Sequence, residues 1–264
     1  MLKKLLPIGF VLIFNLWIWK IFAFNVLIGL ITLTTSVLLW VSIKSAFKYY
    51  SYFFVFLFVI LLFFQWQTTQ PSSLTYLDND EQRVQQMRLR EYSTIKLTLG
   101  EKTIWLPIAW WFEGKKEPIA FYRVQKNFFE LLDLNFYFLA NHPRERVGMQ
   151  EFEKFPYIFI PIFLFGLFSL IKGCSQKISQ NNKSIIILAL CLCLPIGLIS
   201  LIGHKNPIGP FALFPFFAIS IGSGVEGIYK KISQLPNSFK IATLILTTFI
   251  FSLVFLQVIS YAQY

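Results

Sequence analysis

The stretch SYFFVFLFVILLFFQW (51–66) decides which solvent this chain is built for: it runs from Ser51 to Trp66 without a charged group. Such a run has no polar face to offer water, so it reads as a membrane helix, with Tyr49, Tyr50, Tyr52 and Trp66 at its two ends where amphipathic rings prefer the headgroup level. The adjoining segment is its opposite. Between Gln67 and Pro156 lie twelve of the thirteen carboxylates, balanced by twelve Lys and Arg, while the rest of the chain carries twelve basic groups against Glu226 alone. The net charge of +11 therefore comes entirely from outside the 67–155 segment.

The remainder repeats the pattern of 51–66. Six further apolar runs extend over about Leu5 to Ile21, Phe24 to Ile43, Pro156 to Ile171, Ser184 to Gly203, Asn206 to Gly224 and Phe239 to Ile259. A spanning helix needs about 20 apolar residues. At 56% hydrophobic and 14% charged, the chain departs from the roughly 25% charged of soluble domains. The expected fold is an all-α polytopic membrane protein of about seven transmembrane helices. It divides into three N-terminal helices (1–66), a mostly helical, interface-lying external loop domain (67–155) and four C-terminal helices (156–264).

Orientation follows from Lys and Arg in the short connections. With the N-terminus cytoplasmic, that side collects Lys3, Lys4, Lys44, Lys48, Lys172, Lys177, Lys183, Lys230, Lys231 and Lys240, against Lys20 and Lys205 outside. The expected location is the cell membrane, multi-pass, with segment 67–155 and the C-terminus external. The tight join between the first two runs, Lys20 to Phe24, leaves a re-entrant pair open as the alternative there.

Within the external segment, Asp78 to Glu91 reads as a polar helix capped by Asp78 or Asn79, with Asp80 and Glu81 in the first turn where the dipole favours acids. Thr94 to Leu99 alternates like a short strand. Ile104 to Phe112, with Trp105, Trp110 and Trp111, is too short to span and is expected to lie in the interface. Pro118 to Asp133 suits a helix that carries Phe121, Val124, Phe128, Leu131 and Leu132 toward one side, and a polar stretch runs from Asn141 to Lys154.

Few residues offer chemistry. Asp78, Asp80 and Glu81 supply helix-cap and first-turn acids, oxygen ligands to a hard cation or, at Asp78 or Asp80, a general base. In Asn-His-Pro-Arg-Glu-Arg (141–146), His142, Arg144 and Arg146 suit phosphate oxygens, although Glu145 offers them a local ion partner. His204 and Lys205, between the fifth and sixth runs, face the same compartment. Two histidines make no metal site, the Cys residues pack as small apolar groups, and no phosphate loop or nucleophile elbow is present, so no metal and no cofactor is expected. Scattered single charges speak against nucleic acid, and span centres free of ionisable residues speak against transport.

Gly203 to Gly224 reads GHKNPIGPFALFPFFAISIGSG. This resembles the late membrane segment of GT-C type glycosyltransferases of the protein-mannosyltransferase and aminoarabinose-transferase kind. The resemblance implies a polyprenyl-phosphate sugar as donor, with Lys205 on its phosphate, His204, Arg144 and Arg146 nearby, and Asp78 or Asp80 as the base. The family carries its acid directly after the first span, whereas Lys20 to Phe24 contains none. The reading preferred from the residues is a membrane-anchored binding or scaffolding protein acting at the external face, with membrane lipids or a membrane protein as partners; a GT-C-like transferase, or a shortened relative of one, is the alternative.

Overall fold

Stretch 51–66 lies wholly inside one helix, α4 (Lys48–Thr68), as a run without breakers should. The structure is a computed structural model that describes residues 2–44, 48–70, 73–77, 79–91, 95–99, 102–106, 110–139, 152–176, 182–203, 206–234 and 236, with single positions between 241 and 256. Besides α4, its apolar helices are α1 (Leu2–Ile13), α2 (Leu16–Phe24), α3 (Val26–Lys44), α8 (Phe159–Gln176), α9 (Asn182–Ile202) and α10 (Phe214–Ser233). Between α4 and α8 come α5 (Asn79–Glu91), a hairpin of β1 (Ile95–Leu99) and β2 (Lys102–Leu106), a π-helical turn at Trp110–Gly114, α6 (Lys116–Leu132) and the short α7 (Asn135–Phe138).

Among the described residues, three segments are long and apolar enough to cross a membrane: Val26–Lys44, Tyr49–Thr68 and Phe211–Ser233. The pair α1 and α2 makes a fourth if it counts as one span, and Phe159–Lys172 and Ile186–Ile202 are shorter apolar helices. The chain is thus an α-helical membrane protein. The run Phe239 to Ile259 falls largely outside the described residues, and its described positions from Ile241 to Leu256 are helical.

Helix α10 is the axis of the bundle, with residues Phe214 through Gly224 buried without interruption. Gly222 lies against Trp40 of α3 and Ile8 of α1. Against α8 the approach is backbone to backbone, because Gly166 faces Ser220 and Gly224 while Gly224 faces Ile162. Small residues permit such contact, and in lipid, where apolar burial drives no association, close packing is what holds helices together. At one end of the bundle Glu226 of α10 pairs with Lys44 of α3 and, at 2.7 Å, with Lys230. At the other end Trp17, Gln65 and Asn206 meet, so α3, α8 and α10 run one way and α1 and α4 the other.

Two expectations are corrected. The first run is not one helix: Asn15 breaks it, capping Ile18 N at 2.8 Å and donating to Val11 O at 2.6 Å, and α2 leaves α1 at 66°. An Asn side chain that satisfies both the old helix's carbonyl and the new one's amide makes a break tolerable in a dry environment. The sixth run does not begin its helix at Asn206; residues 206–210 form a turn, with Gly209 at φ +74°, before a 3-10 turn at Phe211–Leu213. Within the 67–155 segment, Ile104 to Leu106 belong to β2, where Leu97 pairs with Ile104.

Candidate functional site

Two contacts among the described residues fasten the later part of the 67–155 segment to the bundle, one through α6 and one through α7 with residues 152–155. Asn127, buried in the middle of α6, donates from Nδ2 to Ser200 O at 3.1 Å near the end of α9, and Leu131 is buried one turn on. Further along, α7 and the irregular 152–155 stretch insert aromatic side chains between α2, α8 and α10. Tyr137 lies tilted against Phe217 with ring centroids 4.1 Å apart, Phe155 stacks on Phe214 at 5.6 Å, and Trp17 meets Phe214 edge-on at 5.4 Å.

Glu153 and Lys154, which close the stretch expected to be polar, are buried inside this layer. Lys154 Nζ lies 3.5 Å from the centroid of Phe136 and donates to Phe136 O at 2.9 Å, while Glu153 Oε1 accepts from Tyr157 N at 2.8 Å. A desolvated ammonium gains from an aromatic face. The Tyr137 hydroxyl donates to Leu131 O at 2.9 Å; burial pushes its phenol well above the usual 10.0, and Asp133 adds to the shift.

Beside this layer, turn 206–210 is held by side chains of α4 and α2. Gln65 Oε1 accepts from Ala212 N at 3.1 Å, Asn206 Nδ2 donates to Thr68 Oγ1 at 2.9 Å, and Trp17 Nε1 donates to Ile208 O at 2.7 Å. The backbone groups among these lack a helical partner, so buried side chains stand in. This node is a structural joint whose polar groups are consumed by one another.

Polar groups with spare capacity occur elsewhere, in a cleft of about 530 Å³ between α5 and α6. Helix α5 has no buried residue; its sequence places Asp80 and Glu81 in the first turn and Arg88 and Arg90 in the last, as the helix dipole favours. Helix α6 starts with Glu117 in its first turn and turns three different faces outward, residues advancing about 100° each. Asn127, which bonds to α9, and Leu131 are buried, Ile119, Tyr122, Arg123 and Lys126 line the cleft, and Phe121, Phe128 and Leu132 are exposed. The apolar positions expected to share one side do fall within one arc of about 100° of the helix, buried at its Leu131 edge and exposed at Phe121, Phe128 and Leu132.

Arg123 sets the cleft's geometry. Its Nη2 donates to Glu81 Oε2 at 2.5 Å and to Tyr76 O at 2.6 Å, tying α6 both to the first turn of α5 and to the chain before it. With side chains 27% and 44% exposed, the ion pair adds at most about 1 kcal/mol, so its part is positional. Asp80, Gln85, Arg88 and Lys126 complete the polar wall over Leu77, Val84 and Ile119. Among the described residues no hydrogen bond or ion pair engages the side chain of Asp80 or Lys126. The cleft can accept a cation at one point and an anion at another.

Of the residues singled out from the sequence, Asp80 lines this cleft. Asp78, His142, Arg144, Arg146, His204 and Lys205 lie outside the described residues. The sequence reading missed Arg123, Lys126 and Arg88; the spacing Ile119, Tyr122, Arg123, Lys126 is a helical stripe that a search for an uncovered polar face would have found. Among the described residues no three His, Cys, Asp or Glu gather as a metal set. No family model matches the chain, and neither a curated protein nor a solved structure matches it.

Proposed function

We propose that the chain is a multi-pass protein of the cell membrane that serves as a membrane-anchored binding protein, with the α5–α6 cleft as its point of engagement at the external face. Seven spans thread the membrane from a cytoplasmic N-terminus to an external C-terminus. The meeting of Lys44, Glu226 and Lys230 at one end of the bundle supports this threading, since positive charge collects on the cytoplasmic side. The observation that carries the binding role is the cleft itself: Arg123 is already satisfied by Glu81 and Tyr76, which fixes the walls, and Asp80 and Lys126 are left unengaged on them among the described residues. Charged groups held by rigid elements with no partner of their own are what a recognition site needs. The test is a photo-crosslinking amino acid at Val84 in intact cells, with and without Lys126→Glu. A discrete adduct that Lys126→Glu abolishes is expected; absence of any adduct, or one indifferent to that change, refutes the reading.

A GT-C-like transferase remains the second reading, supported by one contact. Asn127 on Ser200 sets α6, one wall of Asp80's cleft, at the end of α9 that leads into His204 and Lys205. Under it Asp80 or Asp78 deprotonates an acceptor hydroxyl, and Lys205 with Arg144 and Arg146 holds a polyprenyl phosphate. Purification in mild detergent and then lipid mass spectrometry decides: the lipid must be retained by the native chain and lost on Lys205→Ala.

A further inference from the structure

The binding reading leaves the ligand's chemistry open, and three features of the cleft narrow it. The first is that the cleft is not purely polar. Leu77, Val84 and Ile119 line it together with the charged groups, so it suits a molecule that is part apolar. The second is its neighbour on α6. Tyr122, half-exposed, stands about 100° round the helix from Phe121, on the border between the cleft face and a face where Phe121, Phe128 and Leu132 are uncovered. An apolar stripe bordering a charged cleft, on a helix pinned by Asn127 to the end of the apolar helix α9, is the layout of an interfacial helix whose apolar side rests among acyl chains. Trp110 and Trp111, exposed in the turn that precedes α6, add the rings that favour the headgroup level.

The third feature is the sign of the charges. Glu81 and Arg123 neutralise one another, Arg88 is engaged in a contact of its own, and what remains unengaged among the described residues is one carboxylate, Asp80, and one ammonium, Lys126. A ligand with a single negative charge would satisfy Lys126 but meet Asp80 with the wrong sign. A zwitterion satisfies both. Asp80 accepts hydrogen bonds and so favours a primary ammonium, which donates three; a quaternary ammonium donates none and needs an aromatic cage, whereas Tyr122 is the one ring among the described residues that lines the cleft.

We infer that the α5–α6 cleft binds the headgroup of a zwitterionic phospholipid with a primary amine, its phosphate on Lys126 and its ammonium on Asp80, while an acyl chain lies along Phe121 and Phe128. The inference rests on the binding reading and gives it a ligand. It also assigns the exposed apolar stripe of α6 a part: it holds the chains of the same lipid whose headgroup the cleft reads.

The full chain, purified in detergent, is presented with phosphatidylethanolamine, phosphatidylcholine and phosphatidylglycerol in equal amounts, and separately with free phosphoethanolamine, and retained ligand is counted by native mass spectrometry. Phosphatidylethanolamine should be retained about tenfold over phosphatidylcholine, the factor one charge-assisted hydrogen bond supplies at a partly exposed site. Asp80→Asn should erase that preference, and Lys126→Gln should weaken retention of all three lipids. Free phosphoethanolamine should bind far more weakly than the lipid, because it lacks the chains. Equal retention of the three lipids by the native chain, a preference that survives Asp80→Asn, or free phosphoethanolamine bound as well as the lipid overturns the inference. A protein adduct from the Val84 crosslink in place of a phospholipid adduct does the same while leaving the binding reading standing; no adduct at all removes both. Since both substitutions lie on exposed side chains, an unchanged thermal unfolding profile separates loss of ligand from loss of fold.

Discussion

Replacing Gly166 by Ala tests the packing that holds α10 at the centre. A Cβ built there overlaps the carbonyl oxygen of Ser220 and comes within 2.6 Å of Gly224 N, both backbone atoms of a buried helix that no side-chain rotation can move aside. The helices must therefore separate, and α8 loses part of its contact with α10 along Phe163, Gly166 and Phe217. Overpacking of this kind costs about 1–3 kcal/mol, and rigid obstacles on α10 put the expectation near the upper end. Against it stands a gain of about 1 kcal/mol from Ala over Gly within a helix. The net loss is about 2 kcal/mol. Gly197 on α9 is the internal control, because a Cβ there meets nothing within 4 Å, and Gly197→Ala should stabilise by about 0.5–1 kcal/mol. Equilibrium unfolding in mixed micelles, tracked by tryptophan fluorescence, should then separate the two variants by about 3 kcal/mol, or about two decades in the unfolding constant. Gly224→Ala drives its Cβ into Ile162 O and should behave like Gly166→Ala, and the double variant should lose less than the sum, since one separation relieves both overlaps. Equal stability of Gly166→Ala and Gly197→Ala refutes the reasoning.

Three further outcomes are expected. Trp17→Phe leaves Ile208 O without its donor at a buried site and should cost about 1–3 kcal/mol in the same unfolding assay. Lys154→Met keeps much of the volume but removes the donor to Phe136 O and the cation over its ring; it should destabilise by about 2 kcal/mol, and Lys154→Glu by clearly more, with proteolysis of the 67–155 segment as a second readout. Tyr137 stays protonated in the folded chain above the pH at which the unfolded chain ionises, so its contribution is fully present below about pH 10 and is lost as pH rises through the folded value; stability should fall above about pH 10, and Tyr137→Phe should flatten that fall in alkaline unfolding curves.

Much of this architecture was legible because membrane helices announce themselves by composition over a long window. The uncharged run 51–66 needed no tertiary information to become α4, and Asp80, Glu81, Arg88 and Arg90 marked the ends of α5 by dipole chemistry. What escaped depends on partners far away in sequence. Asn15 sits in an unbroken apolar run, and only the 66° departure of α2 exposes it as a cap. Lys154 reads as a solvated charge until Trp17, Phe136, Tyr137 and Phe152, drawn from separate segments, close round it. Turn 206–210 carried its own signal, Asn-Pro and then Gly-Pro, but the apolar residues on either side outweighed it. The cleft is the middle case: Asp80 was picked for its place at a helix start, whereas Lys126 and Arg123 gain meaning only when α6 is seen lying against α5.

The burial of α10 bears on how the chain is made. Ile8 and Trp40 find their place against Gly222 only after Gly222 itself has been synthesised, and α8 waits for Ser220 and Gly224 across the whole of α9. Until Phe214–Gly224 leaves the ribosome, the faces of Ile8, Trp40 and Gly166 that pack on it stand open to lipid or to chaperone. Assembly is therefore a late event, gated by one helix, and a nascent chain interrupted anywhere before residue 211 should be recognised as unfinished by the membrane's own quality control.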